Sequence, residues 1–135
     1  MADNDDETVD TLDMLKDWTL DVIYAETRDV LKRAHVVASA DLMERLQYYR
    51  VVDHPEKLVP GAHLCYIKKD NLMHLHVGIF CKINHRVGLC GTWLVCKNYS
   101  SGRPIYYQIC YDSYVIFQRF TRDQQILIES AELLL

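Results

Sequence analysis

Glycine is scarce: the 135-residue chain has five, they are scattered, and none opens a helix. Phosphate-binding loops, which need clustered glycines ahead of a helix N-terminus, are therefore excluded. No Cys-x-x-Cys pair occurs, so the spacing of structural zinc sites is missing. No apolar run approaches the roughly 18 residues of a membrane-crossing helix. Positive charge is not in excess, because 15 Lys and Arg against 19 Asp and Glu leave a net charge of -4. That balance argues against a duplex nucleic-acid binder, which carries a basic face. The N-terminus is acidic and has no apolar run, so neither a signal nor a transit peptide is expected. Nothing resembles a nucleophile elbow or an oxyanion loop, and no enzymatic activity is expected.

What remains is ordinary for a globular chain, 50% hydrophobic and 25% charged, and long enough for one domain with a real core. Asp3, Asp5, Asp6, Glu7, Asp10 and Asp13 meet no basic residue, and without those six the charge of -4 becomes +2. Residues 1–12 read as an acidic, solvated tail, or as an arm that docks on a basic partner surface. Residues 13–135 read as a single α+β domain.

Helical spacing begins at Asp17, a candidate N-cap, with Leu20, Ile23, Thr27, Val30, Leu31 and Ala34 on one stripe. Val36-Val37 weakens it, and Ser39 caps a second helix expected from Ala40 to about Tyr49, burying Leu42, Met43, Leu46 and Tyr49. Residues 17–50 thus form a helical hairpin or one long kinked helix. Residues 51–59 read as a linker.

The β core spans residues 59–120, launched by the turn signal Pro60-Gly61. Strands are expected at 62–68, 72–83, 89–97, 105–111 and 114–120. In the second, Leu75, Val77, Ile79, Cys81 and Ile83 alternate onto one face, with a turn at 84–88 after it. Residues 98–104 read as the longest loop of the core. Five short strands joined by turns predict an antiparallel meander, curled into a small barrel or bent sheet. Thr121 and Gln124 fit a capping box opening a helix at 122–134, with Leu127, Ala131 and Leu134 on its stripe.

Chemistry-bearing residues cluster weakly. His74, His76, Cys81, His85, Cys90 and Cys96 are candidate zinc ligands by type, but alternation sends Cys81 and His76 to opposite faces. Cys65 shares a strand face with His63, and Cys90 follows His85 across a turn, as chance allows with five cysteines and six histidines. An odd cysteine count without a signal peptide points to reduced thiols, packed as small hydrophobes, in a cytosolic or nuclear setting. No metal and no cofactor is expected. Nine tyrosines are too many for one small core, so an assembly surface is expected, with Tyr48, Tyr99 and Tyr106 as interface candidates. Tyr66, Phe80, Tyr99 and Tyr106 with Lys68, Lys69 and Lys82 offer an alternative, a barrel face stacking single-stranded nucleic acid or holding a peptide.

Pro60-Gly61 with Tyr66-Ile67, then Val77-Gly78-Ile79-Phe80, Trp93-Leu94-Val95 and Val115-Ile116-Phe117, resemble a small protein type of large nucleocytoplasmic DNA viruses. The likeness covers residues 40–120. Cys65 stands where that type commonly has a basic residue, and Gly78 stands alone where a pair is usual. The resemblance implies a non-enzymatic minor capsid or virion-associated protein, located in the virion and the host cytoplasm. Its partners would be other virion or scaffold proteins, with self-association included and nucleic acid not expected. A regulatory protein that binds a host factor through its N-terminal helices is a further alternative.

Overall fold

Local capping decides where the first helix starts. In the computed structural model, which describes residues 12–69, 71–85 and 91–135, residues 12–15 are helical and lead into a 3-10 turn at Lys16–Trp18, ahead of helix α1, Leu20–Arg33. Thr19, not Asp17, is the cap: its backbone is extended and its hydroxyl accepts the Val22 amide at 3.3 Å. Ile23, Thr27 and Leu31 form the buried stripe, and the Thr27 hydroxyl donates to the Ile23 carbonyl at 3.1 Å, so its burial leaves nothing unsatisfied. Ser39 caps α2 as expected, but α2 is only Ala40–Arg45. Tyr49–Val51 is instead strand β1. These β-favouring residues gain ladder bonds and a packed face from a distant strand, which outweighs continuation of a short helix.

That strand is β6 (Tyr114–Arg119), with Tyr49 opposite Arg119 and Val51 opposite Phe117. The others are β2 (His63–Lys68), β3 (Asn71–His85), β4 (Thr92–Ser100) and β5 (Arg103–Cys110). All neighbours are antiparallel, in the order β1-β6-β2-β3-β4-β5. The α+β class, the antiparallel sheet and the helices at both ends are as expected, but the sheet has six strands where five were expected and is not closed into a barrel. Because β1 adds to β6, it lies at the edge opposite β5, and the two ends of the sheet do not pair.

Two further corrections concern register. The ladder between β3 and β4 shifts between Phe80 and Lys82, leaving Cys81 as a bulge. Past it the faces exchange, so Ile83 packs with the Phe80 cluster instead of sharing a face with Leu75. The expected loop at 98–104 is mostly strand, reduced to the turn Ser101-Gly102 between β4 and β5. The expected turn at 84–88 and the acidic tail lie largely outside the described residues.

The sheet buries both faces. Leu64, Tyr66, Phe80, Leu94, Cys96, Ile109 and Ile116 cluster on one face, beneath Val52 and Leu58 of the segment after β1. Buried Gln118 clamps that segment: its amide accepts the Val59 N–H at 2.8 Å and donates to the Lys57 carbonyl at 3.1 Å. Cys65, Ile67, Val115 and Phe117 pack on the other face against Leu31 and Leu46 from the helical segment. Complete burial of a side chain such as Phe117 contributes about 1.5–3 kcal/mol. Helix α3 (Arg122–Leu134) has the expected capping box, Thr121 with Gln124. Its buried residues are Ile128, packed against Ile23 and Phe120, and Ala131; of the expected stripe Ala131 is buried, Leu127 half-buried and Leu134 exposed. No helix among the described residues is long and apolar enough to cross a membrane.

Candidate interaction surface

The hairpin β4–β5 outgrows its core. Ser101 (φ 52°) and Gly102 (φ 77°) both take left-handed backbone, the conformation a two-residue turn needs to match strand twist. Leu94, Cys96 and Ile109 are buried at its base, yet every residue from Asn98 to Tyr106 is exposed. Large apolar groups lie in that stretch: Tyr99 is 58% exposed, Ile105 52% and Tyr106 61%, with Val77 of β3 at 54%. Lys97 stands opposite Tyr106, and Tyr99 opposite Pro104, so these four share one face. The Lys97 ammonium lies 5.6 Å from the Tyr99 ring centroid. The surface is a tyrosine-lysine strip on a two-stranded arm.

The arm is anchored by a tyrosine pair at its base. The Tyr66 hydroxyl donates to the Tyr107 hydroxyl at 2.7 Å, linking β2 to β5 across β3 and β4. The Asn98 side chain donates to the Val77 carbonyl at 3.1 Å and to the Tyr107 hydroxyl at 3.4 Å. Tyr107 passes over Gly78, where an added Cβ would come within 2.1 Å of its hydroxyl oxygen. His76 stacks on Tyr66 with centroids 5.4 Å apart, and Tyr114 meets it edge-on at 5.2 Å. Burial first, then the bond to Tyr107, pushes the Tyr66 phenol well above its usual pKa, and burial raises Tyr107 as well. Both stay protonated hydrogen-bonding groups. The arm is held at a fixed angle.

Other candidates separate. Tyr48 is exposed beside β1, at the opposite edge of the sheet from Tyr99 and Tyr106. Tyr66 and Phe80 are buried, which removes them from the expected stacking face. Cys65 and Cys96 are free and buried; burial raises both thiols, Cys96 to about 12, the opposite of nucleophile activation. Cys110 is disulfide-bonded, against the expectation of reduced thiols throughout. Among the described residues no group of three or more His, Cys, Asp or Glu side chains could hold a metal.

A groove of about 690 Å³ runs between α1 and the β1–β6 side of the sheet, lined by Glu26, Asp29, Arg33, Asp53 and Tyr111 over an apolar floor. Its charges are mostly matched: Arg33 pairs with Asp29, Arg50 grips Glu26 bidentately at 2.9 and 3.0 Å, and Lys57 meets Asp53 at 2.7 Å. Arg50 also lies 4.5 Å from the Trp18 ring centroid, so these ions tie the first helical turns to β1. The groove is a seam of the fold.

The Asn98–Tyr107 anchor escapes sequence reasoning because a loop was expected over 98–104, while Val77 and Ile105 were placed on strands with no sign of their exposure. Ser-Gly between two alternating segments was the available signal. No protein-family model, no curated protein and no solved structure matches the chain.

Proposed function

We propose that the chain is a non-enzymatic structural and interaction protein whose contact surface is the outer face of the β4–β5 arm. One observation carries this reading: the unbroken exposed run from Asn98 to Tyr106 presents two large tyrosines on a rigidly anchored hairpin. Tyrosine supplies much contact area at low entropic cost, and aromatic residues are enriched where protein surfaces meet. The sheet is then the platform, and virion or scaffold proteins are the partners. The sequence resemblance to virion-associated proteins supports a minor capsid role. Particles carrying the Tyr99→Ala/Tyr106→Ala variant test it: the protein should leave the particle fraction at least about tenfold, as loss of two interface anchors at 1 kcal/mol or more each implies. Retention of the folded variant in particles would overturn the reading.

Lys97 between two exposed tyrosines favours a second reading, stacking on single-stranded nucleic acid. A salt-dependent mobility shift with single-stranded oligonucleotides would support it, and no shift at low salt would remove it.

A further inference from the structure

The two edges of the sheet are not equivalent. At one end β1 is three residues long, and its Tyr49 amide is spent on the Leu46 carbonyl at 3.0 Å. At the other, β5 is eight residues long. Ser100 and Arg103 flank the two-residue turn and form its hydrogen-bonded pair, so backbone groups of Arg103, Ile105, Tyr107 and Ile109 face β4. Those of Pro104, Tyr106 and Gln108 face outward. Among the described residues no backbone partner meets the Tyr106 and Gln108 amides. Pro104, which has no N–H, sits where β4 loses nothing by it.

Such edges are usually blunted by charge, yet residues 104–111 carry none. Identical strands can therefore meet there without opposing like charges. In the antiparallel register that uses the whole outward edge, Tyr106 faces Gln108 of the second copy, and Tyr107 lies on the two-fold axis. Pro104, as acceptor only, then falls opposite Cys110. Arg103 of each copy then lies across from Tyr111 of the other, where a 3-10 turn, Tyr111–Ser113, ends the strand and carries Asp112. Among the described residues Arg103 and Asp112 are both exposed and in no ion pair, so an arginine and the carboxylate of the turn come near one another at both ends of the ladder.

We propose that β5 pairs antiparallel with β5 of a second copy of this chain, joining two six-stranded sheets into one continuous sheet. The proposal rests on the arm being the contact surface and names its partner. The ladder is narrow against the about 1,600 Å² of a standard interface, so the dimer is expected to dissociate in the micromolar range.

Sedimentation velocity from about 1 to about 200 µM tests it, a span that brackets micromolar affinity. Wild type should shift from monomer to dimer across that range, and the Tyr106 and Gln108 amides should gain hydrogen-exchange protection with concentration. Gln108→Pro removes an outward N–H that β4 does not use, and should keep the chain monomeric throughout. Arg103→Asp should weaken the dimer and Arg103→Asp/Asp112→Arg should restore it, a readout that misfolding cannot imitate. A wild type that stays monomeric, or a dimer untouched by both Gln108→Pro and Arg103→Asp, overturns the proposal. Loss of particle association by Tyr99→Ala/Tyr106→Ala in a monomeric protein would keep the arm as a contact surface and reject self-pairing alone.

Discussion

Gly78 is where a single missing side chain sets the position of a whole arm. A methyl group there would overlap the Tyr107 hydroxyl, which is tied to Tyr66, Asn98 and the Val77 carbonyl. Gly78→Ala should therefore destabilise by about 1–3 kcal/mol, the range for forced overpacking, seen as a lower urea midpoint. Tyr107→Phe removes the clashing oxygen along with its bonds, so the double variant should be more stable than the sum of the single effects predicts. Simple additivity would show that the tyrosine pair does not position the arm. A second residue-scale expectation concerns thiols. Cys81, half-buried and free, should react with an alkylating reagent at pH 8 well before Cys96, which is buried and whose pKa is near 12. Equal rates would contradict the burial seen here.

At the scale of elements, the turn Ser101-Gly102 asks most of its residues. Both positions need positive φ, which serine adopts less readily than asparagine. Ser101→Asn should stabilise by a few tenths of a kcal/mol, whereas Gly102→Ala should cost about 1 kcal/mol or more. Thermal denaturation of the three chains would order them, and an unchanged Gly102→Ala would argue against the primed turn. This turn also shows what the sequence could convey. Ser39, Thr121 and Gln124 announced their caps because capping is local chemistry, and β2 and β6 were legible as short apolar runs bounded by turn signals. Strand β1 was hidden because three residues carry no period and its only reason to be extended is β6, about seventy residues away in sequence. The Cys81 bulge was hidden for a related reason: alternation assumes an unbroken ladder, and one extra residue reverses it. Of the interface candidates, Tyr99 and Tyr106 came together only once the supposed loop proved to be strand; Tyr48 stayed apart.

The whole molecule should be sensitive to alkali. Cys96 is raised from 9.0 to about 12 in the folded chain, and Tyr49 from 10.0 to about 12, chiefly by burial. Below about pH 8 both are protonated in either state and contribute no slope. Between pH 9 and 12 the unfolded chain releases protons that the folded chain retains, so stability falls as pH rises. Urea midpoints should be flat from pH 7 to about 8 and decline progressively above that for this reason. Cys96→Val should shallow that decline, and an unchanged slope would assign the loss to other groups.

The strand order also dictates a timetable. Strands β2, β3, β4 and β5 are neighbours in sequence and in the sheet, whereas β1 pairs only with β6, which is synthesised after all of them. Contacts between sequence neighbours close cheaply, and those across long separations form late. Pulse-labelled hydrogen exchange during refolding should then protect the β4 and β5 amides before those of β1 and β6. A growing chain would offer its β5 edge while the rest of the sheet is still unmade. Two nascent copies on one messenger could pair through that edge before either has docked its helices.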